Sequence, residues 1–302
     1  MKLIKPTFEI LNSKGLFEDI EIAARTCYQS QDKIMQGSAE KIVKNLIERG
    51  HLAMLEHGSV YFLIKDEYIT KQIQIILDNA LYTKINYIDR INEKGIYCED
   101  AYVTTNYRVI LENENFKFLK SYQCEPTEFH EKRVTVRFNT QIAISREFNR
   151  HRVDSIAESS TRYCNYSKDK FGNEITINAP HCVTEIELAQ AHKICTEIAI
   201  KDDKFGTLYE KETYYWNAID WWLWANACTE LAYMKLIELG WQAQDARTIL
   251  PLDTNTVLVH TAFVKDWEHF FMLRDAPTAH PDARALAHPL HEEFIKKGLI
   301  NG

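Results

Sequence analysis

Only ten glycines are spread over 302 residues, and neither G-x-G-x-x-G nor G-x-x-x-x-G-K-[ST] can be read anywhere in the chain. Those glycines let a backbone approach a dinucleotide or phosphate closely, so a Rossmann or P-loop site is not expected. H-E-x-x-H and G-x-S-x-G are absent as well, which removes the usual support for a zinc protease or an α/β-hydrolase. At 35.3 kDa the chain is long enough to bury a full core without disulfides or a structural metal. Its 45 % hydrophobic and 26 % charged content is that of an ordinary globular protein.

Charge narrows the partners. Thirty-six Lys and Arg against 43 Asp and Glu leave −7, so no general footprint for nucleic acid or an anionic membrane is expected, and any anionic ligand must be held by local positive charge. No apolar run approaches the ~20 residues of a membrane span, and MKLIKPTFEI lacks the features of a signal peptide. Seven scattered cysteines, Cys27, Cys98, Cys124, Cys164, Cys182, Cys195 and Cys228, include no C-x-x-C pair. Free thiols, no bound metal and a cytoplasmic location are expected.

The apolar patterning reads as α+β, a mainly antiparallel sheet flanked by long helices. In SAEKIVKNLIERGH, Ser38 is the expected cap, Ile42, Val43, Leu46 and Ile47 form one stripe, and Gly50 stops the helix. GSVYFLI, AYVTTNYRVIL and RVTVRF read as strands of one sheet, with Val134, Val136 and Phe138 on one face. Between Lys65 and about Arg133 lie a helical pattern (Ile73, Ile76, Leu77) and an expected hairpin near Glu112 to Glu114. From about Leu208 to Leu239 the pattern predicts a large buried helix, with Trp216, Trp221, Trp222 and Trp224 in core or subunit interface and Gly240 as its stop. Val264, Trp267, Phe270, Phe271 and Arg274 fall at helical spacing. Ala283, Leu286, Ala287 and Leu290 belong to a last helix that Pro281 opens and Pro289 should kink or divide.

The densest polar cluster is REFNRHRVDSIAESSTRYCNYS, residues 146 to 167. Arg146, Arg150, Arg152 and Arg162 concentrate cations in a net acidic chain, and the guanidinium fork pairs with phosphate in bidentate fashion. Ser159, Ser160 and Thr161 add neutral donors for phosphate oxygens. The plain alternative is a solvated helix face whose arginines pair with Glu147, Asp154 and Glu158.

At this cluster the chain resembles the flavin-dependent thymidylate synthases, the ThyX family. Arg150-His151-Arg152, then seven residues to Ser160, meets the family signature, and the longer pattern is matched at Ser155, Glu158, Ser160, Arg162 and Tyr163, with Ala157 standing where Asn is usual. AARTCY (Ala23 to Tyr28), GHLAMLEHGSVYF (Gly50 to Phe62), ARTILPL (Ala246 to Leu252) and DWEHFFMLRDAPTAHPDAR (Asp266 to Arg284) resemble further family segments in family order. The resemblance implies one domain over 1–302 with an insertion at about 65–133.

It implies conversion of dUMP to dTMP, with 5,10-methylenetetrahydrofolate giving the carbon, NADPH the hydride and FAD the redox relay, without a cysteine nucleophile. By position in the family pattern Arg274 is catalytic, stabilising the ionised pyrimidine. Glu147, Arg150, Glu158, Ser159, Ser160, Thr161, Arg162, Arg247 and Arg274 are implied as dUMP-binding residues. Ala53, Glu56, Arg150, His151, Arg152, Phe263, Lys265 and His269 are implied for FAD, and His51 for the folate or flavin side. Phe263 and Lys265 replace a usual Asn-x-Arg pair, and a lysine keeps the charge but loses the planar fork. A homotetramer with shared sites is implied too. Two other readings stand beside this one: a different flavoenzyme or nucleotide-modifying enzyme on the same scaffold, and a nucleotide- or RNA-binding module.

Overall fold

The computed structural model describes residues 1–65, 69, 82–91, 95–184 and 216–301. The expected helical pattern at Ile73, Ile76 and Leu77, the stretch 208–215 and Cys195 lie outside the described residues. The strands are β1 (Lys2–Ile4), β2 (Thr7–Leu11), β3 (Ser59–Ile64), β4 (Lys84–Ile91), β5 (Tyr97–Asn106), β6 (Gln123–Cys124), β7 (Arg133–Gln141), β8 (Ser155–Glu158), β9 (Thr176–Asn178) and β10 (Asn255–Phe263). The α-helices are α1 (Leu16–Tyr28), α2 (Ser38–Glu48), α3 (Tyr107–Glu112), α4 (Ile142–Phe148), α5 (Ala218–Glu238), α6 (Ala243–Ala246), α7 (Val264–Arg274) and α8 (Pro281–Lys296). The α+β class holds, but the single sheet expected from sequence is two. One has order β2-β7-β10-β8 and the other β4-β5-β3-β6, all neighbours antiparallel, and a small parallel pair joins β1 to β9. Among the described residues no helix is long and apolar enough to cross a membrane.

The main core forms where alternation along β7 turns Val134, Val136 and Phe138 inward, all at most 8 % exposed. Trp267, Phe270 and Phe271 of α7 and Ala283, Leu286, Ala287, Leu290 and Phe294 of α8 close over them. Pro281 opens α8 as expected, but Pro289 does not divide it. The missing N–H removes one helical bond, while Leu290 and Phe294 beyond it remain fully buried. A second core lies under the other sheet, where Val60, Phe62 and Ile64 of β3 meet Ala101 and Val103 of β5.

Four local expectations are corrected. Ser38 is not the cap of α2: Gly37 holds that position in a left-handed conformation, and the Ser38 hydroxyl instead accepts from the Met35 N–H at 3.0 Å and donates to Glu21 at 2.9 Å. Ile47 at the edge of the stripe is exposed. The strand expected through Leu111 ends at Asn106, whose side chain accepts from the Val109 N–H at 3.0 Å and starts α3 in place of the expected hairpin. The tryptophan helix is not buried as a whole in the single chain. Trp221 is 45 % exposed, Trp216, Trp221 and Trp224 pack edge-to-face on one another, and Trp222 donates to Asp253 at 2.6 Å.

Candidate active site

Strand register explains how distant segments meet. β7 and β10 pair from Gln141↔Asn255 to Arg133↔Phe263, so α4 leaves the sheet at one end and α7 at the other. An eleven-residue helix is about 16 Å long, enough to carry Arg274 back along the sheet to the last turn of α4. There the Arg274 guanidinium donates to the Glu147 carboxylate at 2.8 Å, to the Glu147 carbonyl at 2.6 Å and to His151 Nε2 at 3.2 Å. The nearby carboxylates of Asp275 and Asp282 are engaged elsewhere: Asp275 by His288, His291 and Arg284, and Asp282 by Gln141 and His181.

His151 sits just past α4, 7 % exposed, with its ring 5.0 Å from Phe270 and 5.9 Å from His269. Burial first, then the neighbouring His260, Arg274 and His269, lower its pKa to about 4. The ring is therefore neutral near pH 7. Since Nε2 accepts from Arg274, Nδ1 carries the proton. Behind it, His260 Nε2 and Asp154 Oδ2 form a fully enclosed pair at 2.6 Å. His260 lies on β10 between Val136 and Ile156.

The next layer is built on β8. Glu158 accepts from Ser145 at 2.7 Å and Asn149 at 2.9 Å on or beside α4, and from Thr256 at 3.0 Å on β10. Its carboxylate thus clamps the sheet edge to the arginine segment. The chain then turns outward: the Ser159 N–H donates to the Val257 carbonyl, and the Ser160 N–H donates to the Cys27 carbonyl at 3.0 Å. Thr161 accepts from Arg247 at 3.3 Å, and Arg162 donates to Gln244 at 3.3 Å. The expected cluster therefore resolves into two groups, one around Arg274, Glu147 and His151 and one around Thr161, Arg162 and Arg247. Among the described residues no hydrogen bond joins the two groups directly.

Of the remaining expected ligands, Arg150, Arg152, Lys265 and His269 are exposed, as are His51 and Ala53. Glu56 is buried: its carboxylate takes Arg108 at 2.6 Å, and its carbonyl takes Arg133 at 2.9 Å. Phe263 is 4 % exposed, with Lys84 and Arg133 each 5.6 Å from its ring. The side chain is thus a packed wall residue in this chain and not an open ligand group. Sequence reasoning missed Arg133, Arg108 and His260, and it set Asp154 against the arginines and not against His260. No pattern marked them: β10 is buried along nearly its whole length, and Arg133 lies in the opposite phase of β7 from Val134, Val136 and Phe138.

Fold and cluster together define an α+β protein with an arginine-rich cluster at the edge of its β2-β7-β10-β8 sheet. The chain matches the model of the Thymidylate synthase complementing protein family over residues 9–75 and 117–297, and it belongs to that family. It is 24 % identical over 163 residues to the flavin-dependent thymidylate synthase of Synechocystis sp., covering 54 % of this chain and 66 % of that protein. It is 27 % identical over 164 residues to the probable flavin-dependent thymidylate synthase of Paramecium bursaria Chlorella virus 1, covering 54 % and 67 %. The match thus leaves part of each relative uncovered. Among solved structures it is similar to the UMP/dUMP methylase PolB from Streptomyces cacaoi bound with 5-Br dUMP, at 16 % identity, 98 % and 93 % coverage and a TM-score of 0.42.

Proposed function

We propose that this chain is a flavin-dependent thymidylate synthase, a methyltransferase that converts dUMP to dTMP with 5,10-methylenetetrahydrofolate as carbon donor, NADPH as hydride source and FAD as cofactor. The observation that carries the reading is that the family match over 9–75 and 117–297 contains the Arg274, Glu147 and His151 cluster and both arginines of the Thr161 turn.

The residue chemistry fits each task. Arg274 is held by three acceptors, so its charge is fixed in direction before substrate arrives. A fixed cation beside the pyrimidine N3–O4 edge favours the ionised ring and raises electron density at C5. Arg247 reaches the Thr161 hydroxyl, and Arg162 and Ser160 are its chain neighbours, a donor set suited to a phosphate monoester, while the Ser159 hydroxyl is bonded to Thr256 and the Val257 N–H on β10. Glu147 positions Arg274, and Glu158 positions the loop that carries these donors.

FAD, when bound, supplies a two-electron carrier between nicotinamide and pyrimidine. The donor set fits it: Arg150, Arg152 and Lys265 are exposed cations with no acidic partner among the described residues, as a diphosphate requires. Neutral His151, with its proton on Nδ1, gives a directed donor for a flavin edge, and exposed His269 lies beside it. The thiols of Cys27 and Cys164 are raised to about 11, chiefly by burial, so both stay protonated near neutral pH. That favours a reaction without a cysteine nucleophile. The six described cysteines are free, in keeping with a cytoplasmic protein.

The same reading makes the chain one domain with 65–133 as an insertion, since residues 76–116 fall between the two matched segments and contain β4 and β5. It also makes the protein a homotetramer with sites completed between chains. The test is incubation of FAD-loaded protein with dUMP, methylenetetrahydrofolate and NADPH, with the nucleotide product separated by chromatography. dTMP that appears only with all four components is expected. NADPH oxidation without dTMP would mean a different flavoenzyme, and colourless protein that only binds nucleotide would mean a binding module.

A further inference from the structure

A cleft of about 420 Å³ lies between α1 and α2, within the range of small-ligand sites, about 300–1,000 Å³. Apart from His51 at its margin, none of its residues has a role in the chemistry above. Arg25, Lys33, Lys41 and Arg49 line it and no Asp or Glu does, in a chain whose net charge is −7. Arg25 donates its Nε to the buried Glu21 at 2.8 Å. Lys33, Lys41 and Arg49 have no acidic side chain at ion-pair distance among the described residues. Unpaired like charges around one hollow repel each other, and an anion relieves that repulsion. Tyr28, Ile42 and Leu46 add apolar wall for the carbon atoms between charged groups.

The cleft adjoins the site. Tyr28, which lines it, packs at a tilt on Tyr163 with ring centroids 5.2 Å apart, and the adjacent Cys27 carbonyl accepts the Ser160 N–H at 3.0 Å. An extended ligand that runs past the Ser160 loop and His51 would therefore lay its far end among these cations.

We propose that the α1–α2 cleft is a subsite for the polyanionic tail of a co-substrate, a flexible tether bearing several carboxylates or phosphates. The proposal rests on the thymidylate synthase reading, in which two co-substrates carry such a tail: a folate extended by glutamates and a nicotinamide dinucleotide with its additional phosphate.

The test is calorimetric titration of FAD-loaded protein with p-aminobenzoyl-pentaglutamate and, separately, with 2′-phospho-ADP-ribose, for wild type and Lys41→Gln/Arg49→Gln. Both side chains are exposed, so the variant should keep the wild-type melting temperature. Binding of one probe that weakens about tenfold in the variant, and weakens with added salt, is expected. In kinetics, KM for the matching co-substrate rises while kcat and the dUMP KM hold. Pentaglutamate binding assigns the folate tail, and phospho-ADP-ribose binding assigns the dinucleotide. No binding of either probe, or equal binding by both proteins, overturns the subsite. Variant-sensitive binding by a protein that forms no dTMP keeps the subsite and removes the thymidylate synthase reading.

Discussion

The proposed function puts its chemistry on one side chain, Arg274. That side chain is only 17 % exposed, and its guanidinium is aimed by Glu147 and His151. Arg274→Ala should retain flavin absorbance yet lose at least about 100-fold in dTMP formation, since a preorganised charge acts mainly on the developing anion. Near-normal turnover would remove the assignment. Cys27→Ala should leave catalysis intact, because a thiol raised to about 11 is not a nucleophile at neutral pH; loss of turnover without loss of fold would contradict this. His151 and His57 add a pH dependence. Burial lowers His151 to about 4 and His57 to about 3, so below about pH 6.5 the unfolded chain binds protons that the folded one does not. Stability should therefore fall as pH drops from about 6.5 towards 4, and His57→Asn should flatten that slope in thermal melts, whatever it costs at neutral pH. At this scale the sequence was informative for exposed cations, whose clustering is visible in one segment. It was silent on His260 and Arg133 and set Asp154 against the arginines, because contacts such as the Asp154–His260 pair join residues about a hundred positions apart.

Among elements, β7 is the one on which the rest depends. Phe138 is fully buried between α4 and α7, with Phe148 at 5.0 Å and Phe270 at 6.3 Å. Phe138→Ala should cost about 3–5 kcal/mol, read from urea unfolding, and should loosen the α7 packing that delivers Arg274. A cost under about 1 kcal/mol would mean that the core closes differently. β7, α7 and α8 were legible in sequence because their period and burial agree. The Ser38 cap and the strand through Leu111 were misread for local reasons. A glycine in a left-handed conformation displaced the serine by one position, and an asparagine cap outweighed the β-branched Val109 and Ile110.

For the whole molecule, the misreading was of sheet number. Strand patterns show that a segment is half-buried, but not which strands share a ladder, and β4 and β5 build a second sheet on β3. The proposed homotetramer would have to cover the exposed apolar side chains of α5 and its cap, Trp221 and Leu231 each 45 % exposed and Leu239 72 % exposed. On that proposal, Trp221→Glu/Leu231→Glu should shift the protein to smaller species in analytical ultracentrifugation and reduce turnover per chain. An unchanged sedimentation coefficient would separate this stripe from the assembly.

The most direct measurement is tritium release from 5-tritiated dUMP by FAD-loaded protein supplied with methylenetetrahydrofolate and NADPH. Loss of the C5 hydrogen is the step that the proposed function assigns to the arginine-rich cluster. Release into water in proportion to dTMP, absent without FAD and absent in Arg274→Ala, is predicted. Flavin-loaded protein that binds dUMP and leaves the tritium on the ring, with every co-substrate present, would contradict it.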